Sequence, residues 1–207
     1  MLAAFLLLSL APIQDPVPIT WQKTDGWVAQ DGILSNSGTN PVHLFSNQEF
    51  QDSQIHVEFK IPKGSNSGVY VHGRYEVQIL DSSGIADKNM SVHDCGAIYE
   101  RWKDDQGFEG TPPLSNAFAG PDLWNVYDIK FQAPQFDANG GKLKNARFVE
   151  VRLNGTIIHK NVEVTGPTRA GFFETESMKG PIVLQGDHGP VSYRNVWVRP
   201  LIIPTPD

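Results

Sequence analysis

The fold and the chemistry of this chain both turn on one stretch, Ser67–Asp81, which reads "SGVYVHGRYEVQILD". Its odd positions carry Val69, Val71, Tyr75, Val77 and Ile79, and its even positions Tyr70, His72, Arg74, Glu76, Gln78 and Leu80. Alternation with period two is the mark of an extended strand with one apolar and one polar face. Side chains at i and i+2 share a face about 7 Å apart, so His72, Arg74, Glu76 and Gln78 are predicted as a row along one continuous strand. An ordinary solvated face is the competing reading. The mixture of imidazole, guanidinium, carboxylate and amide, without the Lys, Thr and Ser of a plain exposed strand, favours a working surface.

The same alternation recurs along the chain. "QIHVEFKIP" at 54–62 sets Ile55, Val57 and Phe59 opposite His56, Glu58 and Lys60, and "WNVYDIKFQAP" at 124–134 repeats the pattern. Asp31-Gly32 and Asn154-Gly155 supply the positive φ angles of tight two-residue hairpin turns. "PIVLQG" and "VSYRNVWVRPLII" read as closing strands. No amphipathic helix period is present after the N-terminal segment. About ten or more short strands with turn residues between them predict an all-β, two-sheet antiparallel sandwich of the jelly-roll type. Two irregular inserts, 82–123 and "TGPTRAGFFETESMKG" at 165–180, are placed at the rim of a binding face, because long loops in compact domains tend to be functional.

A chain of 207 residues with 40% hydrophobic and 19% charged content is long enough for one well-cored domain, expected over 15–207. The net charge of −6 argues against nucleic acid and anionic membranes as main partners. Residues 2–11, "LAAFLLLSLA", are too short to span a bilayer and suit the apolar core of an export signal, so residues 1–14 are expected as a signal segment and the mature chain as periplasmic or extracellular. A basic segment ahead of that apolar run is missing. Cys95 is the single cysteine, which excludes an internal disulfide and any multi-thiolate zinc site and suits a small buried hydrophobe. His72, His93, Asp94 and His188 form no sequence motif for a metal, and Asp104-Asp105 reads better as a solvated turn than as a calcium loop; neither a metal nor a cofactor is expected.

Tyr70, Tyr99, Trp102 and Phe108 are available to stack on a sugar ring beside the polar row. "GSNSG" at 64–68 offers a close backbone approach. A retaining glycosidase needs two carboxylates about 5–5.5 Å apart, yet Glu76 shares its face with Gln78 and Leu80 while Asp81 has the other parity. Ordinary double displacement is therefore disfavoured.

Taken in order, "NSGVYVHGRYEVQILDS", "CGAIY", "WNVYDIKFQAPQFDANG", "ARFVEVRLNG" and "GPIVLQGDHGPVSYRNVWVRPL" resemble the family of 3-keto-disaccharide hydrolases over about residues 20–201. The resemblance implies a concanavalin A-like jelly roll and cleavage of glycosides oxidised at C3. It also implies a mechanism that needs only one base, because the ketone acidifies the C2 proton and the C1 substituent is then expelled. On this basis Glu76 is the expected general acid/base, Arg74 its partner or an enolate stabiliser, and His188 of "GDHG" a further acid, base or ligand. Asn66, His72, Gln78, Tyr99 and Asn116 are the expected substrate contacts. The oxidised sugar would be supplied by a separate sugar 3-dehydrogenase. Departures from the family pattern fall at "ERWKDDQGFEG" (100–110) and "QGDHGP" (185–190). A non-catalytic, lectin-like carbohydrate-binding module and a structural interaction domain are the other function classes compatible with such a sandwich.

Overall fold

The computed structural model describes residues 15–39 and 41–201, so the expected export segment at 1–14 lies outside the described residues. Two antiparallel sheets face each other. The larger has eight strands, running Thr156–Val164, Ala146–Leu153, Asn125–Gln132, Ser53–Lys60, Ser192–Pro200, Ile33–Asn36 and Trp27–Gln30, with Val17–Pro18 added beside Ser192–Pro200. The smaller has four, in the order Leu44–Phe50, Gly180–Leu184, Asn66–Val71 and Tyr75–Leu80. This is the all-β jelly-roll sandwich expected from the alternation. Both expected hairpin turns form, with φ of 50° and 76° at Asp31-Gly32 and 51° and 80° at Asn154-Gly155.

The core fills the gap between the sheets. Val69, Val71, Tyr75, Val77 and Ile79 point inward from the small sheet, meeting Ile55, Val57, Phe59, Tyr127, Ile129 and Phe131 from the large one, all fully buried. Cys95 belongs to this core, with its thiol 3.4 Å from the Tyr127 hydroxyl and its pKa pushed up to about 11 by burial. It acts as packing.

The stretch that opened the sequence reading is not one strand. The chain reverses over His72-Gly73-Arg74, with positive φ of 56° and 62° at His72 and Gly73, and Asn66–Val71 pairs with Tyr75–Leu80, Val71 opposite Tyr75. The partners are Tyr70↔Glu76, Gly68↔Gln78 and Asn66↔Leu80. Three residues separate the paired Val71 and Tyr75, and a three-residue connection preserves parity, so each even residue faces another even residue and the two-face reading survives the reversal. The row itself does not: Glu76 and Gln78 stay on the outer face of the small sheet, whereas His72 and Arg74 sit at the turn.

That outer face is also not open to water. Tyr70, Glu76 and Gln78 are buried there because the inserts fold back over it. "CGAIY" runs along the outer edge of Tyr75–Leu80, held by Gln78 N–H to the Ala97 carbonyl at 2.9 Å and Tyr99 N–H to the Glu76 carbonyl at 3.1 Å. The 165–179 insert is tied down by Thr168 N–H to the Arg74 carbonyl at 2.9 Å and Phe172 N–H to the Gly73 carbonyl at 2.8 Å. Phe172 wedges among His43, Phe45 and Tyr70, with ring centroids 4.8–5.0 Å away.

Candidate active site

Between the small sheet and its covering loops lies a cleft of about 350 Å³, lined by Asn66, Tyr70, Glu76, Gln78, Tyr99, Arg169, Ala170, Gln185 and His188. Its volume is in the range used for small ligands. A larger depression of about 480 Å³ lies on the back of the eight-stranded sheet around His56, Glu58, Asn195 and Trp197. There the charges are already matched, His56 with Asp128 at 2.7 Å and Glu58 with Arg194 at 2.6 Å, and Trp197 lies flat on His56 at 4.9 Å. A surface whose polar groups are satisfied by each other has little left for a ligand, so the smaller cleft is the candidate site.

Glu76 is the centre of that cleft. It is 4% exposed, and no described cation lies within ion-pair distance of its carboxylate. Burial pushes its pKa up to about 8; the Tyr70 hydroxyl hydrogen-bonded to it acts in the opposite sense, and the charge of Asp187 adds a smaller upward push. A carboxyl in this state exchanges protons near neutral pH and is a strong base once ionised. Space for it comes from Gly68 on the neighbouring strand: a Cβ there would collide with the Glu76 carboxyl oxygen and lie only 3.2 Å from its Cγ. The glycine expected to let backbone approach a ligand instead lets the acid lie flat on the sheet. Glu76 is held from behind as well, its N–H donating to the Thr168 hydroxyl at 3.1 Å while that hydroxyl donates to the Arg74 carbonyl at 3.0 Å.

One end of the cleft is made of amides. Gln78 accepts the Ile79 N–H at 3.0 Å through Oε1, leaving its amide nitrogen for the cleft. Asn66 Oδ1 and Gln185 Oε1 are both buried and have no partner in the protein. Two buried amide oxygens without partners cost stability unless something donates to them. Sugar hydroxyls are such donors. His188 stands at this end, with its Nδ1 2.5 Å from Asp187 Oδ1, an arrangement that leaves Nε2 for the cleft.

The other end is built by the inserts. Tyr99 and Arg169 line it, and burial together with the charge of Glu76 pushes the Tyr99 hydroxyl pKa upward. The Arg169 guanidinium lies 3.7 Å over the Trp102 ring, and the Arg169 backbone N–H donates to the Glu100 carbonyl at 2.7 Å.

Of the side chains expected from sequence, the cleft gathers Asn66, Glu76, Gln78, Tyr99 and His188. Three stand elsewhere. His72 is fully buried, its ring against Phe131 at 5.0 Å and its Nε2 3.2 Å from the Gln51 carbonyl, and burial lowers its pKa to about 4. Positive φ at a turn aims it into the end of the core. Arg74 donates to the Thr175 carbonyl at 2.6 Å and the His72 carbonyl at 2.7 Å and lies 4.8 Å over Phe173, so it staples the 165–179 insert to the hairpin. Asn116 donates to the Ser82 and Ile85 carbonyls at 2.8 and 3.0 Å, which closes a loop. Tyr70, expected to stack on a sugar, also lines the cleft, and three lining residues were not expected there: Arg169, Ala170 and Gln185. Tyr70 shares the polar parity and was legible as such. Arg169 and Gln185 arrive on a loop and past a strand end, where no periodicity reports direction. Among the described residues, no three His, Cys, Asp or Glu side chains converge as for a metal ion, and His72, His93, Asp94 and His188 are not drawn together.

The sequence matches the 3-keto-alpha-glucoside-1,2-lyase-like domain over residues 18–199. No curated protein matches it. A solved glycosyl hydrolase candidate from Parabacteroides distasonis is 25% identical, with 97% of this chain and 100% of that one covered at a TM-score of 0.64. A second from the same organism is 16% identical, covering 88% and 89% at a TM-score of 0.61, and speaks for the fold alone.

Proposed function

Since the chain belongs to the 3-keto-alpha-glucoside-1,2-lyase-like domain family, we propose that it cleaves glycosides whose sugar carries a ketone at C3, by elimination across C1–C2. The observation that carries this reading is Glu76: one buried carboxyl, its pKa near 8, without a second carboxylate lining the cleft. Double displacement needs two carboxyls, whereas removal of a proton beside a ketone needs one base.

The oxidised ring lies over the amide end, its hydroxyls donating to Asn66 and Gln185 and accepting from Gln78. The ionised Glu76 takes the C2 proton. The electron pair moves onto the C3 oxygen, where His188 in its imidazolium form, its Nδ1–H donating to Asp187, donates from Nε2 to the enolate. Collapse of the enolate re-forms the C3 carbonyl, makes the C1–C2 double bond and breaks the C1–O bond. The departing oxygen takes a proton, which Glu76 now carries. Water adding to C1 and a proton to C2 complete a net hydrolysis; release of the enone before that step is the lyase outcome. Tyr70 tunes the base through its hydroxyl. A dehydrogenase that oxidises C3 supplies the substrate, and an exported location follows from the apolar segment at 2–11.

The test is incubation of the purified protein with methyl 3-keto-α-glucoside, following methanol release, beside the same sugar deuterated at C2. Cleavage slowed by the deuterium, absent in Glu76→Gln and absent for unoxidised methyl glucoside, is the expected result. Cleavage at an unchanged rate from the deuterated sugar overturns the elimination. Binding without any cleavage returns the lectin-like alternative.

A further inference from the structure

The cleft has a polarity, and it defines a leaving-group side. Along the floor hairpin the order is fixed by pairing: Asn66 opposite Leu80, then Gly68 opposite Gln78, then Tyr70 opposite Glu76. Gln185 joins at Gly68, through its N–H to the Gly68 carbonyl at 2.9 Å. Tyr99 joins at Glu76, and Arg169 follows directly after Thr168, whose hydroxyl receives the Glu76 N–H. Glu76 therefore stands between the amide end and an end made of Tyr99, Arg169 and Trp102.

At that second end Trp102 is 42% exposed, a large apolar ring left in solvent beside the cleft. It is carried by a short hairpin, Arg101–Lys103 with Gln106–Phe108. The 3.7 Å separation puts the guanidinium of Arg169 in stacking contact with one face of that ring. A guanidinium stacked on one side has a second planar face, and Arg169 borders the cleft. Its position is over-determined, because the Glu100 carbonyl holds its backbone and the Glu100 carboxylate lies 4.0 Å from its head. Arg169 also makes up the cationic charge at this end of the cleft lining.

We propose that the Trp102–Arg169 stack is the subsite for the departing group, selecting aglycones with a flat, apolar-faced ring. This rests on the elimination reading for its orientation: with C2 over Glu76 and the oxidised ring on the amides, C1 and its substituent point to Arg169. The indole backs the guanidinium and holds its plane, whose free face is offered to a ring on the departing group, and the positive charge meets the oxygen that leaves. Both an aromatic ring and the apolar face of a second hexose have the required shape.

The test separates binding from turnover. Dissociation constants of methyl α-glucoside, phenyl α-glucoside and maltose, none of them oxidised at C3, are measured by NMR titration on the wild type, Trp102→Ala and Arg169→Lys. The wild type should bind at least one of the two ring-bearing glucosides about tenfold more tightly than methyl α-glucoside, a stacking-sized preference. The preferred one identifies the ring as aromatic or sugar. Trp102→Ala should bring the ratio toward one. Arg169→Lys, which keeps the charge and loses the plane, should lower it as well. Equal affinities in the wild type, no measurable binding of any glucoside, or a ratio unchanged in both variants overturns the subsite. Turnover of methyl 3-keto-α-glucoside, whose aglycone has no ring, stands or falls separately and tests only the elimination.

Discussion

Replacing Glu76 with Gln should stabilise the protein while stopping turnover, and the two effects together identify the acid as a working group held against the interest of the fold. Its folded-state pKa is raised to about 8 from an ordinary 4.5, first of all because the carboxyl is buried. A group shifted in this direction supports the native state fully below pH 4.5, and that support is lost as pH rises toward 8. At pH 7 the native chain must keep the carboxyl mostly protonated while the unfolded chain ionises freely, a difference of about 3 kcal/mol at 1.36 kcal/mol per pH interval. Gln has nearly the same shape and no charge to bury. Some of the gain is offset because its NH₂ group needs an acceptor, which the Tyr70 hydroxyl can become by rotating. The net expectation is about 2 kcal/mol at pH 7, worth roughly 4–8 °C in Tm for a domain of this size. Urea unfolding followed by tryptophan fluorescence at pH 4, 6 and 8 measures it. The difference should be slightly unfavourable at pH 4, where only the amide's cost of about 1 kcal/mol remains, and turn into a stabilisation that grows toward pH 8. A stability difference that does not change with pH, or a variant less stable than the wild type at pH 8, refutes the account of a buried, unpaired acid.

Three further outcomes follow from the same geometry. Gly68→Ala places a methyl where the Glu76 carboxyl lies, so kcat for the 3-keto glycoside should fall by about a hundredfold from misplacement of the base, with a loss of about 1–3 kcal/mol in stability; unchanged kinetics would show that the carboxyl does not need this position. Tyr70→Phe removes the hydroxyl that lowers the Glu76 pKa, so the rising limb of kcat/KM against pH should move to higher pH, and a limb that stays in place removes Tyr70 from the tuning of the base. His72 and His159 are both buried, with pKa values lowered to about 4 from 6.5, so their neutral forms support the fold above pH 6.5 and that support is lost as pH falls toward 4. Replacing His159 by Gln should flatten that acid-side decline in a denaturation series from pH 7 to 4.5, and an equally steep decline would discount it.

The sandwich was legible because alternation is a local property. Each of "QIHVEFKIP", "WNVYDIKFQAP" and "ARFVEVRLNG" states by itself which side chains face the core, and two Gly-containing dipeptides state where the chain turns. The reversal at His72–Arg74 leaves no mark in that pattern for a related reason. Its first residue is not the Asn, Asp or Gly that tight turns favour, and a three-residue connection leaves the alternation unbroken, so the sequence looks like one long strand. That unbroken alternation places His72 and Arg74 in a row the fold does not build. Glu76 and Gln78 kept their face because parity, not continuity, decides it.

From the sequence alone came the all-β architecture, the inward set of Val, Ile and Tyr residues, and the choice of Glu76 as the chemically capable carboxyl on the polar parity. Only the tertiary structure decided that this parity is roofed over rather than open, that Gly68 makes room for the acid, that Arg74 holds a loop while Arg169 borders the cleft, and that Gln185 completes the amide end. Faces along a strand are set by the geometry of neighbouring residues in the chain. Burial, and with it the basicity of Glu76, is set by which distant segments fold over that face, and residues 165–189 reach it from about a hundred positions away.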